Sequence, residues 1–398
     1  MSMSAVEWKK LWQVTIWDKR FSGIDKKLQP KVIKYHYYLA NELKELERTF
    51  GDIRILYTTE QVAYTDSILV SNNISEGEIV AIPWGGNASV KYFKGKFITA
   101  DNRIATSSDI ATLNNKYLYY WMLHRKDELE GYYRGAGIKH PSMYSVLMMD
   151  IPIPSLAKQQ EIVSHLDTFT TLISNLESEL DMRRKQYEHY RNQLLDFEGV
   201  EGVEWKSLGE LSLKITDGAH SSPKSTNEGY YMPSVKDMTD NGFDFSDCKI
   251  ISKEDYEDLK RIGCQPNLND ILIAKDGSML KYVFVVKEKL DIVVLSSIAI
   301  ITPKIELVMP EYLVCYLKQS SFQEIVIRDY SSKGGVPRII LKNFKKIVIP
   351  IPSLKTQQEI VSKLDAFENL IQSLEQEIKL RKQQYEYYRE KLLTFEKD

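Results

Sequence analysis

Ile151-Pro152-Ile153-Pro154-Ser155-Leu156 opens a stretch that runs to Phe197-Glu198, and the chain repeats it from Ile349-Pro350-Ile351-Pro352-Ser353-Leu354 to Phe395-Glu396. The copies align without a gap, with about 30 of 48 positions identical, which marks an internally duplicated architecture. Each copy begins extended, because a proline pushes the residue before it out of the helical region. Ser155 and Ser353 then stand as N-caps of a helix. From Leu166 the seam positions advance by alternating steps of three and four: Leu166, Phe169, Ile173, Leu176, Leu180, Arg183, Tyr187, Tyr190, Leu194, Phe197. The second copy gives Leu364, Phe367, Ile371, Leu374, Ile378, Arg381, Tyr385, Tyr388, Leu392, Phe395. This is the a/d pattern of a coiled coil. About 40 residues of helix span roughly 60 Å, too long for the seam to be buried alone. The nearest partner is the other copy in the same chain.

Working outward, each helix is preceded by a globular segment with a shared outline. Val6-Glu7-Trp8-Lys9-Lys10-Leu11 opens the first and Val203-Glu204-Trp205-Lys206-Ser207-Leu208 the second. The predicted organisation is therefore 1–150 globular, 151–198 helix, 199–348 globular and 349–398 helix. The fold class is α+β: two globular domains alternate with two long helices, which pair as an intramolecular antiparallel coiled coil with pseudo-two-fold symmetry.

In the first domain Leu11–Trp17 reads as a strand, Pro30–Phe50 as a helix and Ile53–Thr58 as a strand. Further strands are predicted around Ile68–Val70, Glu78–Ile82 and Val90–Ile98, with Pro83-Trp84-Gly85-Gly86-Asn87 as a turn. Tyr117–Leu129 reads as a helix, followed by the Gly135-Ala136-Gly137 loop and a strand into Ile151. The second domain ends alike: Tyr312–Ile327 as a helix, Gly334-Gly335 as a loop and Ile339–Ile351 as a strand. Its middle carries strands Asp270–Ala274 and Tyr282–Val286 around the Lys275-Asp276-Gly277-Ser278 turn.

The chain has 398 residues, 43% of them hydrophobic and 27% charged, as in ordinary globular domains. No apolar run is long enough to cross a bilayer, and the polar N-terminus shows no signal peptide. Cys248, Cys264 and Cys315 lack metal-ligand spacing and read as reduced thiols of a cytoplasmic protein. Net charge is −2. Residues 1–150 carry 20 basic and 17 acidic side chains, and 199–348 carry 20 and 21. Any nucleic-acid contact must use local patches of positive charge. There is no phosphate-binding Gly-Lys-Ser/Thr loop, no metal-spaced Cys/His set and no Gly-rich cofactor fingerprint. The reading is a non-catalytic chain with no cofactor and no metal of its own.

The duplicated Ile-Pro-Ile-Pro-Ser-Leu lead-in, the Gln159-Gln160-Glu161-Ile162-Val163 and Gln357-Gln358-Glu359-Ile360-Val361 runs, and the heptads ending in Gln186-Tyr187-Glu188 and Gln384-Tyr385-Glu386 resemble the DNA-specificity subunit of type I restriction–modification enzymes. Asp217-Gly218-Ala219-His220 and Gly229-Tyr230-Tyr231 are similar to the start of a target-recognition domain of that family, whereas the first domain has no Asp-Gly-x-His equivalent. The resemblance implies two target-recognition domains, each reading half of a bipartite site in double-stranded DNA. Helix length would then set the unread spacer. It also implies two modification (methyltransferase) subunits docked on the helices, with S-adenosylmethionine bound by those partners, and a place for restriction (motor–nuclease) subunits. No membrane partner is implied. The rival reading is a DNA-independent coiled-coil scaffold with two protein-binding domains.

Candidate DNA contacts are basic residues beside aromatic ones or glycine loops. Lys91, Lys94 and Lys96 accompany Tyr92 and Phe93; Arg134, Lys139 and His140 bracket the first glycine loop; Lys333 and Arg338 bracket the second. His220 and Lys224 sit in a polar loop, and Lys275 and Lys281 flank the second domain's turn. Solvated lysines and plain turns explain each of these equally simply. Tyr187, Tyr190, Tyr385, Tyr387 and Tyr388 read as seam packing rather than base stacking. Arg183 and Arg381 break the seam, and each is expected to pair with the carboxylate four residues earlier, Glu179 and Glu377.

Overall fold

The computed structural model describes residues 6–70, 73–332 and 337–396. The chain forms two units, one of Met1–Glu177 with Glu377–Asp398 and one of Ser178–Gln376.

The two repeats are long helices, α1 (Leu156–Leu194) and α2 (Leu354–Leu393). Ser155 Oγ accepts from Lys158 N, and Ser353 Oγ from Thr356 N, so both prolines lead into capped helix starts. Each unit contains a piece of both helices, and in each the pieces run antiparallel. In the first unit Phe169 stacks on Tyr388 and Glu177 pairs with Lys382. In the second, Arg184 pairs with Glu375 and Tyr190 stacks on Phe367. The partner's number falls as the first rises. All twelve predicted seam residues, from Leu166 to Tyr187 and from Leu364 to Tyr385, are at least half-buried. Arg183 and Arg381 do pair with Glu179 and Glu377, and each also donates to the Gln three residues on.

The first unit opens with β1 (Glu7–Lys10), then β2 (Thr15–Trp17), β3 (Ile53–Leu56), β4 (Val62–Thr65), β5 (Ser75–Pro83), β6 (Lys91–Thr99), β7 (Asn102–Ser107) and β8 (Asp150–Ile153). Six strands make one sheet in the order β2-β7-β5-β6-β3-β4, with β3–β6 its parallel pair. In the second unit β9 (Glu204–Ser207) precedes a smaller sheet of β10 (Ser212–Asp217), β11 (Ile271–Ala274), β12 (Val283–Val285) and β13 (Ile298–Pro303). Its order is β10-β13-β11-β12, antiparallel throughout, and β14 (Val348–Ile351) leads into α2.

The joints between domain and helix are duplicated bond for bond. β1 pairs with β8, setting Trp8 opposite Pro152; β9 pairs with β14, setting Trp205 opposite Pro350. The side chain of Gln159, fully buried, accepts from Asn114 N and donates to Thr112 O and Pro154 O. Gln357 does the same with Met309 N, Leu307 O and Pro352 O. Tyr117 Oη donates to Pro152 O, and Tyr312 Oη to Pro350 O. Buried backbone groups on both sides of each joint thereby find partners.

Several local expectations are corrected. Leu11–Trp17 is not one strand: Leu11–Val14 forms a helical turn before β2. Gln13 caps it through Lys10 N, and Leu11 and Val14, three apart, are both buried. Pro30–Phe50 is helical only over Ala40–Leu46. Val32 and Tyr37 instead form bridges to Trp17 and Thr99, so sheet contacts override the apolar spacing. Ser67–Val70 is a helical turn started by Asp66, not a strand. The predicted helix Tyr312–Ile327 is two, Pro310–Leu317 and Ser320–Tyr330. Ile339–Ile351 contains the turn Leu341–Phe344 before β14.

Candidate nucleic-acid interface

In the first unit, the turn after β5 and the glycine loop after the helix Lys126–Gly131, which follows the helix Asn115–His124, are knitted together. Gly86 N donates to Lys139 O at 3.0 Å, and His140 Nδ1 lies 2.7 Å from Trp84 O. Tyr133 Oη donates to Pro83 O. The His140 and Trp84 rings are 5.0 Å apart. The approach demands glycine: a Cβ on Gly85 would stand 2.9 Å from the Ile138 side chain, and Gly135 holds a φ of +149° with a Cβ 2.7 Å from Ile138 O. Arg134 and His140 face each other across the short ladder Tyr133–Arg134/His140–Pro141. Arg134, Lys139 and His140 thus occupy one exposed loop beside Trp84.

Sequence reasoning missed the residues behind that loop. Arg103, on β7, is buried with its guanidinium 4.0 Å from the Trp84 ring. Its Nη1 donates to Asp101 at 2.7 Å and to Asn102 O. Lys19 pairs with the same Asp101 at 3.5 Å. Nothing in the spacing of Lys19, Trp84 and Arg103 signals this; only the sheet brings them together.

The three lysines of β6 do not form one patch. Side chains alternate along a strand. Lys91 turns inward, where its Nζ donates to Tyr57 O and burial pushes its amine down to about 8. Lys94 pairs with Glu78 at 3.3 Å, and Lys96 stands opposite Glu76 in the ladder.

The second unit repeats the plan with other side chains. The turn between β11 and β12 packs against the chain flanking residues 333–336. Ile339 N donates to Lys275 O, Gly277 N to Pro337 O, and Arg338 bridges Asp276 through the backbone. Lys275 is buried, 3.3 Å from Asp217 and 3.4 Å from Asp276. It therefore anchors the turn rather than standing free on the surface. His220, well exposed, lies 3.2 Å from Asp217 on the outer side of the same cluster. Gly218 is required there, since a Cβ would sit 1.9 Å from Val294 O. Lys224, Lys281 and Arg338 are exposed, Lys281 lying 5.0 Å from the Tyr282 ring. Lys333, with Gly334-Gly335, lies outside the described residues.

The three cysteines are unpaired and buried. Burial pushes the Cys248 thiol up to about 11 and that of Cys315 up to about 12, away from nucleophilic thiolate. Among the described residues no group of His, Cys, Asp or Glu is arranged to hold a metal ion, and no helix is long and apolar enough to cross a membrane. On the seam, Tyr187 and Tyr385 are buried, Tyr190 and Tyr388 stack on phenylalanines, and Tyr387 is exposed.

The family described as type I restriction modification DNA specificity domain matches this chain twice, over residues 17–182 and 201–380. The EcoR124I/EcoR124II type I restriction enzyme specificity subunit of Escherichia coli is 34% identical over 323 residues, covering 77% of this chain and 76% of that one. A putative type I restriction enzyme specificity subunit of Haemophilus influenzae is 30% identical, covering 80% and 83%. Among solved structures, the S subunit of a type I restriction–modification system from M. genitalium superposes with a TM-score of 0.63 at 15% identity, over 100% of this chain and 99% of that one.

Proposed function

Because the chain belongs to the type I restriction–modification DNA specificity family and is a specificity subunit, we propose that its two globular domains each read one half of a bipartite DNA site. The observation that carries this is the duplicated joint. Gln159 and Gln357, with Tyr117 and Tyr312, attach the two domains to their helices identically, while the domains present different turns and loops. A constant frame holding two unlike readers yields an asymmetric site whose halves are independent. The paired helices hold the readers, and their length sets the unread spacer.

The chain supplies recognition and no chemistry of its own. Two methyltransferase subunits dock along α1 and α2 and bring S-adenosylmethionine, and a motor–nuclease subunit joins the same complex. The work is done where chromosomal DNA is, in the cytoplasm. Sequencing the methylome of cells with and without this chain tests the reading. The expected result is loss of one asymmetric, split methylation motif. An unchanged methylome would refute it.

A further inference from the structure

Behind the Trp84 turn the first unit holds a recess of about 510 Å³, walled by the segment Lys19–Ile24, by Trp84 and Arg103, and by Pro141–Tyr144. Its charged lining is Lys19, Arg20 and Arg103, with no carboxylate in the wall. Asp101 bonds Arg103 and Lys19 from beside it, and the buried Asp18 acts on the same two cations from behind, so three cations stand against two carboxylates, and only the cations line the recess. Arg103 is buried and held on two sides, its face on Trp84 and its Nη1 on Asp101. Its Nε has no hydrogen-bond partner among the described residues. A buried guanidinium with an unmet donor is costly. An arriving anion offsets that cost, and a phosphate fits the fork. Phe21, Trp84 and Tyr144 add aromatic surface to the walls, which lowers the local dielectric and strengthens the attraction. His140, next in the chain to the lining residue Pro141, ties the glycine loop to Trp84 through its Nδ1.

We propose that this recess clamps one backbone phosphate of the DNA at the first domain's half-site, with Arg103 as the fork and Lys19 and Arg20 as flanking charges. The inference rests on the DNA-reading function above. A recess whose charged lining is entirely cationic positions the duplex without reading bases, since phosphate carries no sequence information.

The test uses the full chain in complex with its modification subunits. Affinity is measured across a range of salt for a duplex carrying the methylated motif and for a scrambled duplex. Lys19→Gln with Arg20→Gln alters side chains that reach the surface, Arg103→Lys keeps the charge but not the fork, and Lys44→Gln is an exposed control on the helix Ala40–Leu46. The double variant is expected to flatten the slope of log affinity against log salt by up to about 1, the contribution of one phosphate, and to weaken both duplexes by the same factor. Arg103→Lys should weaken binding while the recognised motif stays the same, and Lys44→Gln should change nothing. An unchanged slope in the double variant, or a shifted base preference, overturns the clamp while leaving the DNA reading intact. Failure of the unaltered complex to bind either duplex overturns both.

Discussion

The two units agree where chain meets helix and part company about two turns further on. Their joints use the same glutamine, the same tyrosine and the same strand register. Farther along each helix, the equivalent aspartates have opposite fates. Asp167 accepts from Lys116 at 2.8 Å and from Tyr120 at 2.6 Å. Asp365 instead lies near Glu368 and Glu311, with Lys287 opposing them, and partial desolvation first, then Glu368, holds its carboxyl above the usual range. Glu368 itself accepts from Tyr187 Oη. The difference teaches that duplication preserved the attachment of each domain, where any loss strands buried backbone groups, and released the flanking surface, where alternatives cost little.

The largest effect is expected from removing one heptad from both helices at matched positions, which shortens each by about 10 Å. If helix length sets the spacer, the preferred spacer changes or binding is lost, as read by footprinting on sites of graded spacing. An unchanged spacer preference breaks the link between duplication and half-site distance. Next come the anchors. Gln159→Ala and Gln357→Ala each leave a buried N–H and two carbonyls unpaired, a loss of about 2 kcal/mol. Denaturant unfolding should show equal losses from the respective units; unequal losses would mean that the joints are alike in geometry only.

The aspartates should separate the units. Asp167→Asn is expected to cost about 1 kcal/mol, in keeping with a partly exposed pair, whereas Asp365→Asn should cost nothing. The pH dependence gives the sign. Asp365 binds its proton more tightly folded than unfolded, so its contribution to stability grows as pH falls through its folded pKa toward the ordinary 3.8. Asp365→Asn should erase that rise in melts run across acidic pH. Loss of the same rise in Asp167→Asn would void the contrast. The smallest effect belongs to the seam arginines. Arg183→Ala and Arg381→Ala each remove a half-exposed i,i+4 pair and should lower stability by about 0.5 kcal/mol, equally in thermal melts of each.

The seam was legible in the sequence because helical packing is periodic: Leu166 through Tyr187 and Leu364 through Tyr385 could be placed from spacing alone, as could the capping serines and the Glu179–Arg183 and Glu377–Arg381 pairs. Local chemistry also marked the turns Pro83–Asn87 and Lys275–Ser278. Strand-rich regions misled wherever a single helical turn interrupted them, as at Leu11–Val14 and Ser67–Val70, because four residues carry no measurable period. The candidate contacts fared by the same rule. Arg134, Lys139 and His140 could be grouped from the sequence because one loop contains them. Lys275 and Lys91 looked like surface charges, yet they are buried or half-buried, one beside the distant carboxylate of Asp217 as well as its neighbour Asp276, and one against a backbone carbonyl. What the sequence by itself determined is the duplicated frame, since caps, prolines and heptads act over a few residues. Only the tertiary structure decided that Lys19, Trp84 and Arg103 share a recess, because strands that neighbour one another in a sheet are far apart in the chain and nothing local records which ones meet.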